Sequence, residues 1–125
     1  MKLTKAQRET LRNLFGGRCA YCGNELGKTW HADHIEPVFR IWWGKNKGKF
    51  ERPHNDVLSN FYPACIPCNI HKHAMQLEDW RSYLEEQVDM ARRNSAPFRH
   101  AERFGLITTS KEPIVFYFEK YGKET

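Results

Sequence analysis

Four cysteines constrain this chain more than any other feature: they fall as two pairs, Cys19-Ala20-Tyr21-Cys22 and Cys65-Ile66-Pro67-Cys68, with none elsewhere. Two disulfides would suit an exported protein, but the opening MKLTKAQRETL is basic and lacks the apolar run of a secretory leader. A cytoplasmic location is therefore expected, where thiols stay reduced. A single Cys-x-x-Cys can be a redox dithiol, yet no βαβ pattern surrounds either pair. Two pairs together can instead present four thiolates to one tetrahedral Zn²⁺ at about 2.3 Å, and soft sulfur suits zinc. Gly17 and Gly23 flank the first pair and Pro67 lies inside the second, which is turn chemistry suited to zinc knuckles. The expected centre, Cys19, Cys22, Cys65 and Cys68, is closed and holds fold rather than doing chemistry.

Composition narrows the class. With 125 residues, 40% apolar and 28% charged, the chain reads as a single globular domain, 1–125. No stretch approaches the roughly 18 apolar residues of a membrane span, so no membrane partner is expected. Twenty Lys and Arg against fifteen Asp and Glu give a net charge of +5, which suits a polyanion such as nucleic acid. Arg40, Lys45, Lys47, Lys49 and Arg52 crowd one stretch and interleave with Trp42, Trp43 and Phe50. A second basic run spans 92–103, while 77–89 is mostly acidic on its polar side. This uneven distribution points to a binding face, against the plainer alternative of a solvated loop.

Local patterns place these features on elements. Thr4 and Gln7 form a capping-box pattern ahead of Leu11, Leu14 and Phe15, which predicts a short N-terminal helix ending at Gly16-Gly17. Residues 29–35 read as a strand, followed by a long irregular stretch to about Asn60. A helix is expected after Cys68, with a break near Met75 and Gln76. Leu77, Trp80, Leu84, Val88 and Ala91 then share one helical face. A short helix over 97–104 closes at Gly105, and the β-rich run 113–121 predicts a terminal strand. Trp80 and Phe116 read as core.

The run HADHIEP, His31 to Pro37, lies between the knuckles. Three readings compete. It is a polar strand end whose histidines only hydrogen-bond, or a zinc-hydrolase ligand run, or part of a catalytic centre. The second lacks an upstream histidine and a long enough chain. The third draws on context, since Asn60 precedes Cys65 by five residues and Asn69 follows Cys68 directly.

The order Cys-x-x-Cys, Asp-His-Ile-x-Pro, Asn-x4-Cys-x-x-Cys-Asn resembles the HNH endonucleases of the ββα-metal nuclease superfamily, the four-cysteine type found among small stand-alone phage proteins. The run WHADHIEPV is especially similar. The likeness covers about 19–73, with 77–125 as a helical and strand extension. It implies an α+β fold: a ββα-metal core stapled by a structural four-cysteine zinc, with flanking helices and a C-terminal strand. It further implies a metal-dependent DNA endonuclease that hydrolyses phosphodiesters to 5′-phosphate and 3′-hydroxyl ends. A monomer would nick, and a homodimer would break both strands. His34 matches the general base, and Asp33 the adjacent ligand of a catalytic Mg²⁺ or Mn²⁺. Asn60 matches the middle asparagine that steadies hairpin and base, and Asn69 a third-position ligand. No small-molecule cofactor is implied, and a phage-encoded chain would act in host cytoplasm.

The chemistry is consistent with these types. A neutral imidazole, with an ordinary pKa near 6.5, accepts a proton at physiological pH. Carboxylate and amide oxygens are hard ligands that favour Mg²⁺ or Mn²⁺. Three points stay open. The aromatics of 40–52 either meet DNA or pack inward with the lysines outward. His73, four residues after Asn69, would share its helical face and could replace or join it at the ion. His31 shares a strand face with Asp33. His54 and His100 read as surface, and His71 as a phosphate contact at most. The rival class is a non-catalytic zinc-ribbon module that binds nucleic acid.

Overall fold

A computed structural model describes residues 1–123, so Glu124 and Thr125, the end of the expected 77–125 extension, lie outside the described residues. Helix α1 (Lys5–Arg12) begins as the sequence predicts. Thr4 Oγ1 accepts from the Gln7 amide at 3.1 Å and Gln7 Oε1 accepts from the Thr4 amide at 2.9 Å. These bonds satisfy two amides that a helix start otherwise leaves unpaired. Leu11 and Phe15 are buried, while Leu14 stays exposed.

After Gly16 and Gly17 the chain enters the first knuckle, where the Cys19 amide donates to Asn24 O at 2.8 Å and the Gly23 amide to Cys19 O at 3.1 Å. Gly23 has φ +78°, and a Cβ there would lie 2.9 Å from the Tyr117 ring. Both conformation and space demand glycine. Ala20 N–H reaches Pro63 O at 2.9 Å and joins the knuckle to the sheet.

Strand β1 (His31–His34) pairs antiparallel with β2 (Phe61–Ala64), with Asp33 opposite Tyr62 and His34 opposite Phe61. Helix α2 (Ile66–Lys72) follows, with Cys65 at its N-cap. The result is a β-strand, β-strand, helix unit in an α+β fold with a two-stranded sheet. The helix starts before Cys68 rather than after it, because Pro67 in the first turn is pre-set for helical φ and lacks an amide that would go unpaired. It stops at Lys72, since His73 adopts φ +51°.

Residues 38–52, expected to be irregular, fold back on themselves as an arm. Amides of Arg52, Glu51 and Ile41 donate to carbonyls of Val38, Phe39 and Lys49 at 2.9, 2.7 and 2.8 Å, and Arg40 and Phe50 form a bridge. Short 3₁₀ turns at Pro53–Asn55 and Leu58–Asn60 lead back to β2.

The terminal strand expected over 113–121 does not form. Phe116 is buried, and its ring lies 5.6 Å from that of Tyr21. The chain then turns into a short helix (Tyr117–Lys120) whose first amides donate to knuckle carbonyls: Tyr117 to Tyr21 O at 3.0 Å and Phe118 to Ala20 O at 2.7 Å. The aromatic run carries strand propensity, but its rings and its amides are both taken by the knuckle, and this tertiary packing wins.

The described residues form two compact units, one of 1–77 with 115–123 and one of Glu78–Ile114. The second is helical: α3 (Leu77–Glu85), α4 (Gln87–Asn94) and α5 (Ala96–Arg103). The expected apolar face divides between α3 and α4, with Trp80 buried and Leu84, Val88 and Ala91 half-buried. Ser95 Oγ caps α5 by accepting from the Phe98 amide at 3.1 Å. In the second basic run, Arg92 grips Glu102 through two bonds of 2.8 and 2.6 Å, so that cation serves the fold.

Candidate active site and zinc centre

The four cysteine sulfurs converge, all within 4.8 Å of one another. Cys22 Sγ and Cys65 Sγ are 3.7 Å apart, and sulfurs at about 2.3 Å from one tetrahedral ion would be separated by about 3.8 Å. The donor set and spacing fit a metal ion such as zinc. Crowding already perturbs the thiols. The hydrogen bond with Cys68 pulls Cys19 down to about 4, and the same bond together with burial pushes Cys68 up.

An open cleft of about 710 Å³ lies between β1, the arm and the α2 side. Asp33 and His34 from β1, Phe39, Arg40, Trp42 and Phe50 from the arm, and Asn69, Ile70 and His73 from the α2 side all line it. Among the described residues, Phe39 and His73 are the non-glycine positions with positive φ. Both border the cleft, where such strain is often found. That conformation takes His73 out of α2, so it does not share a helical face with Asn69, although both reach the same cleft.

Strand alternation turns Asp33 and His34 to different surroundings. Asp33 is buried, and its Oδ2 accepts from the Tyr21 hydroxyl at 2.5 Å and faces Lys72 Nζ at 3.2 Å. Lys72 is fully buried and also donates to His34 O at 2.9 Å. Burial raises the Asp33 carboxyl above the usual range, although Lys72 and Tyr21 pull the other way. Burial and the neighbouring Asp33 charge likewise push the Tyr21 hydroxyl up.

His34 stands at the cleft with its ring 4.4 Å from Phe61 and 6.2 Å from Phe50. Its Nε2 is 2.9 Å from Asp56 Oδ1. An ionised carboxylate only accepts, so Nε2 carries the proton and Nδ1 is left with the lone pair. Asp56 also meets the Met1 ammonium. The bond to that ammonium, then the one to His34, lowers its carboxyl.

Asn60 stays behind the cleft and braces it. Its Oδ1 accepts from the Glu36 amide at 3.0 Å, while Nδ2 donates to Glu36 O at 2.8 Å and Asn55 O at 2.7 Å. Its own carbonyl accepts from Ile35 N–H at 2.9 Å. One side chain thus ties the end of β1 to the loop before β2. Asn69 Nδ2 lies 2.7 Å from His31 Nδ1, an arrangement that leaves the Asn69 amide oxygen as its donor atom for a cation.

Comparison with known proteins bears on this geometry. Over 81 residues the chain is 30% identical to a Bacillus subtilis (strain 168) protein named provisionally as the SPbeta prophage-derived HNH endonuclease YoqL, a match covering 62% of this chain and 33% of the relative. The matched segment is thus about a third of that relative's length. No family model matches the chain, and no solved structure matches it either. No helix among the described residues is long and apolar enough to cross a membrane.

Two site residues escape sequence reading, Asp56 and Lys72. Asp56 is the sole acid between Glu51 and Glu78, a signal that was there to use. Lys72 follows Asn69 by three residues and carries no mark of its burial. The exposed Trp42 and Trp43 exclude the inward-packed reading of the arm.

Proposed function

We propose that this protein is a metal-dependent DNA endonuclease of HNH type. The reading rests on one constellation: an imidazole fixed by Asp56 with Nδ1 as its acceptor, bordering a cleft that Asp33 and Asn69 also line. The likeness to a relative named for that activity supports it. His34 Nδ1 takes the proton of the attacking water. A base positioned in this way contributes about 10²- to 10⁴-fold. Asp33 and Asn69 would hold a divalent Mg²⁺ or Mn²⁺, with His73 at the rim of the same cleft. Their hard oxygens fit such an ion, although Asp33 Oδ2 is already engaged by Tyr21 and Lys72. When bound, the ion neutralises charge on the phosphate and its leaving oxygen.

Asn60 holds the strand end that carries the base, and the four-cysteine centre keeps β2 and α2 fastened to the first knuckle. The core is 19–73. Arg40, Lys45, Lys47, Lys49 and Arg52 on the arm track the DNA backbone. One such cleft per chain cuts one strand, and a pair of chains would be needed for a double-strand break.

Supercoiled plasmid, incubated with Mg²⁺ or Mn²⁺, should become nicked with the zinc-loaded wild type and stay intact with zinc-loaded His34→Ala. Chelation is a poor control because it strips the structural site as well. Equal cutting by both proteins would remove His34 from the role. Binding without cutting in either would favour the nucleic-acid-binding module.

A further inference from the structure

Two of the four tryptophans stand out in solvent. Trp30 and Trp80 are buried, whereas Trp42 and Trp43 are 75% and 76% exposed. They sit near the tip of the arm just before a tight turn, where Lys47 N–H donates to Gly44 O at 3.2 Å and Gly48 N–H to Ile41 O at 2.8 Å. Cross-strand bonds along 38–52 hold the path of the arm on both sides of that turn. The guanidinium groups of Arg40 and Arg52 lie 4.9 Å over the rings of Phe50 and Phe39, which keeps two positive charges at its root. Lys45, Lys47 and Lys49 are exposed around the tip, and Glu51 is the only acid between Arg40 and Arg52.

Position matters as much as composition. Trp42 lines the same cleft as Asp33 and His34, and Ile70, itself 66% exposed, lines it from α2. A partner that satisfies this surface needs negative charge for the lysines and flat apolar faces for the indoles. Nucleic acid carries both. In a regular duplex the base faces are covered by their neighbours, so only an unpaired or extruded nucleotide offers a face to an indole. We propose that Trp42 and Trp43 form a stacking platform for unpaired nucleotides, and that the preferred substrate is DNA carrying an unpaired segment at the cleavage site. The placement of the cut rests on the nuclease reading above, whereas the platform itself does not.

Removing a ring that stacks on a base lowers affinity about 5- to 150-fold. Binding is measured with full-length, zinc-loaded protein in a His34→Ala background so that the DNA stays whole. The probes are a labelled single strand, a fully paired duplex, and the same duplex with an internal unpaired loop. The looped duplex and the single strand should bind more tightly than the paired duplex and quench tryptophan fluorescence. Trp42→Ala/Trp43→Ala should erase that advantage and leave paired-duplex binding nearly unchanged. Lys47→Ala/Lys49→Ala should weaken all three alike and lower the salt slope by about 2. Equal binding of the three DNAs, or a preference that survives loss of both indoles, overturns the proposal. Cleavage of the same DNAs with Mg²⁺ or Mn²⁺ by protein that retains His34 separates the two ideas. A tryptophan-dependent preference without cutting keeps the platform and removes the nuclease, and cutting without that preference does the reverse.

Discussion

Lys72→Met tests whether the buried ion pair under β1 holds the site together. The Lys72 side chain is 0% exposed and that of Asp33 6%, with Nζ 3.2 Å from the carboxylate and 2.9 Å from His34 O. Methionine keeps most of the stem's packing but removes the ammonium. A buried carboxylate then loses its counter-ion, and a carbonyl of β1 loses its donor. Breaking one side of a buried pair costs about 3–5 kcal/mol. At about 0.05–0.15 kcal/mol per residue, a chain of this length has some 6–19 kcal/mol in hand, so the loss is a large share.

Urea denaturation of zinc-loaded protein without Mg²⁺ reads this directly. In Asp33→Asn/Lys72→Met the stranded charge is gone, and this double variant should be more stable than Lys72→Met alone by at least about 1 kcal/mol. The pH dependence follows from the same pair. Burial raises the Asp33 carboxyl, so the folded chain binds that proton more tightly than the unfolded chain does. Stability therefore falls as pH rises from the unfolded aspartate value, about 3.9, to the raised folded one. Lys72→Met should push the folded value further up and extend the decline to higher pH, at a slope of at most about 1.4 kcal/mol per pH unit. The double variant should lack it. A loss below about 1 kcal/mol in Lys72→Met, or an equal loss with and without Asp33, would refute the reasoning.

Other substitutions separate the remaining roles. Asn60→Ala removes three hydrogen bonds and should cost about 1–3 kcal/mol in the same denaturation assay. Asn60→Asp should fail to restore the loss, because a carboxylate cannot donate to Glu36 O and Asn55 O. Asp56→Ala should lower kcat about 10- to 100-fold with little change in KM or zinc content, as His34 loses the partner that fixes its proton on Nε2. Added to His34→Ala it should lower activity no further, since the two act as a unit. Metal analysis should find one zinc per chain, and Cys65→Ser should reduce it and bring unfolding to a lower temperature, because metal binding and folding are linked here.

Much of the core unit is legible residue by residue. The Thr4 and Gln7 pattern yields the capping box it predicts, and the two cysteine pairs meet at one point. The Asn60 amide bonds the Glu36 backbone with both its oxygen and its nitrogen. Local rules succeed at these places because the signal is short in range or stereotyped in spacing. They fail where a segment's partner is far away in sequence. The 113–121 run has strand propensity, but its first amides and aromatic rings find carbonyls and a ring of the knuckle nearly a hundred positions earlier. The arm has no strong alternation, and its ladder forms because the chain returns on itself.

Residue types and spacing alone pointed to the four-thiolate centre, and the family likeness carried by those motifs pointed to the α+β class and to the polar groups worth watching. Their assembly was settled by tertiary packing. It buried Lys72 under Asp33, brought Asp56 to His34 Nε2, bent His73 out of its helix, and put Trp42 over the cleft rather than inside the core. The physical reason is shared. A side chain's charge state, tautomer and exposure depend on neighbours from distant parts of the chain, and those neighbours exist only once the backbone has closed around them.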